Sequence, residues 1–352
     1  MPTRHPIIEG DLAKIVSSPL PWSKFAGKTV LISGASGFLP AYMVETLLYL
    51  NETQNMGIQV LGLVRNSITA RKRFAFYEGR NDLKLLIQDV CDPISIEGHV
   101  DFVIHAASQA SPKFYGIDPV GTFSANAIGS HNMLRVARDN HAEGYLFFSS
   151  GEVYGQVDPA KVPIREDYFG PLDPTDLRSC YGEGKRAGET LSVAWWKQFG
   201  VPAKIVRPAH TYGPGLKLDD GRVFADFISD VVHHRDIVMK SDGSAIRPFC
   251  YLADAVVGYF TVLLLGQCGQ AYNIANDQCE ISILNLAKEL VLLFPEKGLR
   301  VVRTSVAGHE HHSPVVRGTA NISKVRALGW NPTTSIQEGF RRTIDSFSSL
   351  FN

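Results

Sequence analysis

From Lys28 onward, short apolar runs rich in β-formers alternate with longer helical segments. "KTVLISG", "IQVLGLVRN", "KLLIQDV", "VDFVIHAAS", "GYLFFSSGEVYG" and "AKIVRPAHTYGP" read as strands, the fifth running into a loop. "AYMVETLLYLNE", "VGTFSANAIGSHNMLRVARDN" and "CYGEGKRAGETLSVAWWKQF" read as helices. Such alternation predicts βαβ units and a parallel sheet. "DFVIHAA" is apolar on both faces, as expected for a strand covered by helices on each side. The predicted fold class is therefore α/β, a doubly wound parallel sheet. After about Gly213 the alternation weakens into shorter elements, which predicts a smaller second α/β lobe. The expected organisation is an arm over 1–27 with one short helix, "EGDLAKIVSS", then a first domain over 28–206. A second lobe over 207–352 is expected to interleave with the first sheet.

The first strand–turn–helix unit carries "SGASGFLPA". A glycine turn in that context suits a dinucleotide. Gly34 allows the tight turn, and Gly37 lets backbone approach a pyrophosphate. The helix N-terminus, with Ser36, Phe38 and Leu39 around it, offers free N–H groups and a positive dipole end. The usual third glycine is replaced by Pro40. If the helix begins near Gly37, Pro40 lies in its first turn, where N–H groups have no intrahelical partner and proline is tolerated. At the end of the second strand, where an acidic residue would hold a ribose hydroxyl, the chain has Arg65, followed by Arg71 and Lys72. A cation there suits a 2′-phosphate, hence NADP; solvated surface charges are the alternative.

Tyr181 and Lys185 form a Y-x-x-x-K pair whose side chains share one helix face. A neighbouring ammonium should favour the phenolate and lower the tyrosine pKa. Tyr181 would then exchange a proton with a substrate hydroxyl while hydride moves to a nicotinamide. Ser150, at a strand end about thirty residues earlier, would hydrogen-bond the same hydroxyl, and Glu152 would serve as a second acid or base.

Composition narrows the partners. Hydrophobic content is 45% and charged content 20%, and 35 basic residues balance 35 acidic ones. Zero formal charge argues against a broad footprint for nucleic acid or acidic lipid and leaves room for a local basic pocket. Cys91, Cys180, Cys250, Cys268 and Cys279 are scattered, with no CxxC pair, and read as reduced thiols without a metal role. "MPTRHPIIEGDLAKIV" has no apolar leader core, and the longest apolar run, "VVGYFTVLLLG", is too short to span a bilayer. A cytoplasmic protein with neither membrane nor nucleic-acid partner is expected.

Taken in order, the motifs resemble the extended short-chain dehydrogenase/reductase family of nucleotide-sugar epimerases, dehydratases and decarboxylases. The resemblance covers residues 28–347. "HAASQASPKFYGIDPVGTFSANAIGSHNML", "SSGEVYG", "CYGEGKRAGET", "HTYGPGLKLDDGRVFADFI" and "GWNPTTSIQEGFRRTI" are most similar to the UDP-glucuronate decarboxylases within it. It implies a Rossmann half that binds NAD(P) and a C-terminal lobe that holds the nucleotide sugar. Ser150, Tyr181 and Lys185 would form the catalytic triad, with Lys185 also holding the nicotinamide ribose. Asp89 and Val90 would flank the adenine, and Ala106 and Ala107 would line the dinucleotide. Ser108, Ser150 and His210 would touch the substrate, while Arg222 and Arg247 would reach the nucleotide or its diphosphate. An arginine fork suits diphosphate geometry; for Arg247 a lobe-surface position is the alternative. Helices around 125–140 and 181–199 would form the family's homodimer bundle.

Three positions depart from the family. Gly151 stands where 4,6-dehydratases carry an aspartate and cannot act as an acid. His210 replaces an asparagine that touches substrate, and is bulkier and titratable. Arg65 replaces the acidic residue of NAD-retaining members, so Arg65 points to NADP and the subgroup to NAD. The expected activity is oxidation of a hexose at C4, leading to decarboxylation of UDP-glucuronate with help from Glu152. The alternatives are an NADP-dependent 4-keto reductase, a 4-epimerase or a 4,6-dehydratase. From another class comes a non-catalytic NADP-binding protein.

Overall fold

The computed structural model describes residues 4–304 and 318–347. Positions 1–3 of the expected arm, and 305–317 and 348–352 of the expected second lobe, lie outside the described residues. The chain runs α1 (Pro6–Val16), β1 (Thr29–Ser33), α2 (Phe38–Gln54), β2 (Gln59–Val64), α3 (Ser67–Arg73), β3 (Leu83–Ile87), β4 (Phe102–His105) and α4 (Pro119–Asp139). It continues through β5 (Gly144–Phe148), α5 (Ser179–Phe199), β6 (Ala203–Pro208), β7 (His210–Tyr212), α6 (Val223–Val232), β8 (Ile237–Met239), β9 (Ile246–Tyr251) and α7 (Leu252–Leu265). The last elements are β10 (Ala271–Ile274), β11 (Glu280–Ser282), α8 (Ile283–Leu293), β12 (Val301–Arg303), α9 (Ser323–Arg326) and α10 (Ile336–Asp345).

Seven strands form the expected parallel sheet in the order β10-β6-β5-β4-β1-β2-β3. Every residue of β4 and β5 is buried, because helices cover both faces. The chain leaves β1 toward β2 on one side and returns to β4 on the other. Beyond the carboxyl ends of β1 and β4 the connections therefore diverge and leave a crevice, where ligands of such sheets bind. Among the described residues no helix is long and apolar enough to cross a membrane.

"AKIVRPAHTYGP" is two strands rather than one. β6 belongs to the large sheet, whereas β7 pairs in parallel with β9 in a three-stranded sheet of the second lobe. Pro208 has no N–H to continue the ladder, and the chain changes sheets just after it. His210 is thereby carried to the lobe side of the crevice. α3 was not read from the pattern. It starts at an asparagine cap, the Asn66 side chain accepting from the Thr69 N–H at 2.9 Å.

The N-terminal helix is docked against the rest of the chain. Leu12 and Ile15 are buried in the same core as Val30, Tyr42, Tyr251 and Phe340. The Asp11 carboxylate is 1% exposed. It accepts from the hydroxyls of Tyr42 (3.2 Å) and Tyr251 (2.8 Å) and from Arg342 (2.6 Å), which ties α1 to α2, β9 and α10.

Candidate active site

The glycine turn and the loop after β4 meet backbone to backbone. Gly34 has φ +66°, and a Cβ there would lie 2.7 Å from the Ala107 Cα. Ser33 organises this meeting: its hydroxyl oxygen accepts from the Ala106 and Ala107 N–H groups, both at 3.2 Å. His105 Nδ1 lies 2.7 Å from the same oxygen, and its Nε2 lies 3.2 Å from the Ala125 carbonyl. Burial and the nearby Lys185 push the His105 pKa down to about 3, so the ring is neutral. Nε2 then carries the proton for Ala125, and Nδ1 accepts from Ser33. This pair was not found from the sequence, although a hydroxyl at the strand end just before the turn was a signal for it.

α2 starts at Phe38 with Gly37 as its cap, which makes Pro40 its third residue. The N–H groups of Phe38 and Leu39 have no acceptor within the helix and open on the crevice. A glycine cradle that a Cβ would fill, next to unpaired N–H donors, fits the pyrophosphate of a dinucleotide.

At the far end of that crevice, Arg65 is 64% exposed and its Nη1 is 3.7 Å from Asp89 Oδ2. An ion pair this exposed is worth little and is readily exchanged for another anion. Lys72 also lines the cleft, and Arg71 does not. Arg73, which sequence reasoning passed over, lies on the cleft wall and is bound in both forks by the buried Glu45, at 2.7 and 2.6 Å.

Glycines bring α5 onto the sheet. A Cβ at Gly188 would strike the Phe147 ring at 2.3 Å, so the helix packs flush on β5 and buries Tyr181 and Lys185. The Lys185 amine donates to the Phe148 carbonyl at 2.6 Å and sits 5.5 Å from the centre of the Tyr181 ring. Burial pushes the Lys185 pKa down to about 7, against the pull of Glu189.

The expectation that Lys185 lowers the Tyr181 pKa fails in this ligand-free site. Burial pushes Tyr181 up to about 12, while hydrogen bonding with Ser150 and the charge of Arg222 pull it back. The physical reason is desolvation, to which the charge of Glu152 adds and which Ser150 and Arg222 only partly offset. Ser150 also caps the 3₁₀ turn Gly151–Tyr154, its Oγ accepting from the Glu152 N–H at 3.2 Å. Tyr115, another residue missed from sequence, stacks on Tyr181 with ring centres 5.2 Å apart and planes at 16°.

The opposite wall comes from the second lobe. His210 on β7 pairs with Phe249 of β9, and its ring packs edge-on against Phe249 (5.8 Å) and Phe224 (6.2 Å). Burial and the charges of Arg247 and Arg222 push its pKa down to about 3. The titratable histidine expected from the sequence is therefore neutral at working pH, with one donor and one acceptor to offer. Arg222 caps α6 and is gripped by both Asp220 oxygens, one contact being 3.1 Å. Arg247 is 9% exposed and donates to the Ile246 carbonyl at 2.8 Å; it is not the lobe-surface arginine weighed as an alternative. The Ser111 hydroxyl on the Asp220 carbonyl and the Lys113 amine on the Asp219 carbonyl (2.9 Å) strap the two walls together.

Apart from Arg71, the candidate site residues named from the sequence line one cleft of about 2290 Å³. That is more than twice the roughly 1,000 Å³ at the upper end of single small-molecule pockets, so two ligands fit side by side. Ser108 Oγ in its wall is buried without a hydrogen-bond partner. A Cβ at Gly151 would meet nothing within 4 Å. The missing acid there is a difference in sequence, since packing leaves room for a side chain.

The chain is 34% identical over 327 residues to UDP-glucuronic acid decarboxylase 6 of Arabidopsis thaliana, covering 92% of this chain and 90% of that protein. It is 34% identical to UDP-glucuronic acid decarboxylase 1 of Xenopus tropicalis, covering 91% and 72% respectively. Two solved structures share the fold. One is UDP-glucuronic acid 4-epimerase of Bacillus cereus with UDP-glucuronic acid and NAD (TM-score 0.75, 21% identity, 92% and 99% coverage). The other is UDP-glucose 4-epimerase of Thermotoga maritima with UDP-glucose (TM-score 0.77, 20% identity, 92% and 100% coverage). With residues 30–275 matching it throughout the glycine turn, the tyrosine–lysine helix and the start of the second lobe, the chain belongs to the NAD dependent epimerase/dehydratase family.

Proposed function

We propose that this protein binds a nicotinamide dinucleotide on the Gly34–Leu39 turn and oxidises C4 of the hexose in a nucleoside-diphosphate sugar, with UDP-glucuronate decarboxylation as the outcome. The observation that carries the reading is the meeting of Ser150, Tyr181 and Lys185 with that turn on one wall and His210, Arg222 and Arg247 on the other. The relatives named above, decarboxylases of UDP-glucuronic acid, support the choice of outcome.

In this reading Phe38 and Leu39 N–H groups take the pyrophosphate, Asp89 and Val90 flank the adenine, and Ala106 and Ala107 line the dinucleotide. Lys185 holds the nicotinamide ribose. The oxidised nicotinamide, when bound, supplies the hydride acceptor and a positive charge. Tyr181 takes the C4 hydroxyl proton as hydride leaves C4, with Ser150 steadying the oxygen. A 4-keto group makes the C6 carboxylate that of a β-keto acid. The C5–C6 bond then breaks, carbon dioxide leaves, and the electron pair passes to the C4 oxygen. Glu152, at the mouth of the 3₁₀ turn, assists protonation at C5. Tyr181 would return its proton to the C4 oxygen at the end, which restores the group that began the cycle. Arg222 and Arg247 take the diphosphate, Arg222 exchanging Asp220 for phosphate oxygens. Ser108 and the neutral His210 hydrogen-bond the sugar.

Incubating the purified protein with NAD⁺ or NADP⁺ and UDP-glucuronate, with mass and NMR analysis, should give a UDP-pentose and carbon dioxide. Unchanged UDP-glucuronate and unchanged UDP- and dTDP-hexoses would overturn the reading.

Arg65 favours a second reading, a 4-keto nucleotide-sugar reductase using dissociable NADPH. Stoichiometric NADPH consumption with a 4-keto sugar would select it. In either case Arg65 is proposed to meet the 2′-phosphate of NADP. Arg65→Asp should shift the NADP:NAD affinity ratio toward NAD about tenfold or more, read by titrating both cofactors. An unchanged ratio removes Arg65 from cofactor choice. A cytoplasmic homodimer completes the proposal; Val120, Phe123, Ile128 and Phe199, exposed on α4 and α5, suit burial against a second copy.

A further inference from the structure

One turn beyond Lys185 on α5 stands Glu189, a largely buried carboxylate at i, i+4. It is fully occupied. The Ser149 hydroxyl donates to its Oε1 at 2.5 Å, and Arg207 Nε and Nη2 donate to Oε1 and Oε2 at 2.8 and 2.6 Å. Arg207, on β6, is itself 5% exposed; its Nη1 donates to the Glu166 carbonyl at 2.9 Å, and its guanidinium stacks over Tyr154 at 4.9 Å. A buried ion pair is weak evidence for stability, since desolvation offsets the attraction. Its position asks for another explanation.

Around Lys185 the other titratable groups are few. Its own helix brings Tyr181 and Glu189. β4 brings His105, neutral as described. The turn after β5 brings Glu152 toward Tyr181, and β6 brings Arg207 behind Glu189. α4 approaches Gly184 with the uncharged Asn126. Glu189 is thus the carboxylate that opposes the burial of the Lys185 ammonium, and Arg207 is the cation paired with it.

We propose that Glu189 and Arg207 are positioning residues of opposite sign that set the charge on the Lys185 amine. The inference rests on the reading that Lys185 serves Tyr181 and the nicotinamide ribose. A charged amine is what either task requires, and Lys185 is buried enough to lose its proton near neutrality.

The test uses the full chain without ligand. Competitive acetylation with acetic anhydride across pH, quantified by mass spectrometry, gives the Lys185 titration midpoint. Glu189→Gln should move it down by about one pH unit or more, and Arg207→Gln should move it up by a similar amount. Both variants break the same ion pair, so a purely structural role would not send them in opposite directions. Glu189→Asp and Arg207→Lys keep the charges and should keep the midpoint near that of the parent chain. They also carry the test should either neutral variant fail to fold, a shift in these two then counting against the proposal. Midpoints that stay put in the neutral variants, or move together, overturn it. The labelling needs no substrate, so a failed function assay beside the expected midpoints would sink the decarboxylase reading alone. With a turning-over substrate, the alkaline limb of the kcat/KM profile should move in the same two directions.

Discussion

Tyr181→Phe should reduce turnover by about 10³-fold, within the range expected for removing a general acid–base group, while leaving dinucleotide affinity close to that of the parent chain. The substitution removes one oxygen and keeps the ring. The stack on Tyr115 at 5.2 Å survives, as does the Lys185 bond to the Phe148 carbonyl at 2.6 Å. What disappears is the proton store between Ser150 and the substrate. That store is well filled, since burial pushes the hydroxyl pKa up to about 12. Its use as a base therefore depends on positive charge arriving with a ligand. Turnover of UDP-glucuronate and fluorescence titration of reduced dinucleotide read the two halves separately. Equal turnover in both chains would end the proposed proton transfer. Loss of binding would show that the hydroxyl supports the fold of the cleft.

Gly34→Val should lower dinucleotide affinity by about 100-fold, whereas Pro40→Gly should leave it within about threefold. At Gly34 two penalties act together. A φ of +66° is strained for a β-branched residue, and the added Cβ meets the Ala107 backbone at 2.7 Å, where no side chain can swing away. The loop that Ser33 holds through the Ala106 and Ala107 N–H groups must retreat, taking the dinucleotide wall with it. Pro40 occupies the third position of α2, where a missing N–H breaks no helical bond. Glycine there should loosen the helix by about 1 kcal/mol, seen as a lower Tm, without altering affinity. Comparable losses of affinity in both variants would mean that Pro40 shapes the phosphate site.

The strand–turn–helix at "SGASGFLPA" and the Y-x-x-x-K spacing were both legible, because each depends on neighbours within a few residues. Six strands of the parallel sheet follow from the same local alternation of apolar runs and helices, whereas β10, which completes it beside β6, was not read from the pattern. The split of "AKIVRPAHTYGP" was hidden. The stretch reads as one β-rich run, and its partners, β10 for β6 and β9 for β7, divide it after Pro208. Likewise nothing in the spacing of Arg73, Glu45 and Tyr115 announces a buried ion pair or a ring stacked on Tyr181.

Charge states were least legible of all. Adjacency on a helix suggested a lowered tyrosine, but desolvation by distant elements outweighs it, holding Tyr181 protonated, Lys185 near its midpoint and His210 neutral. Residue types and local spacing, which chain chemistry sets, thus named the candidate reacting groups and the parallel α/β character of the sheet. Which of those groups hold their protons, and which arginines are already engaged, came from packing. Burial and pairing join residues tens to hundreds of positions apart, and their energies depend on a dielectric that exists only once the chain is folded.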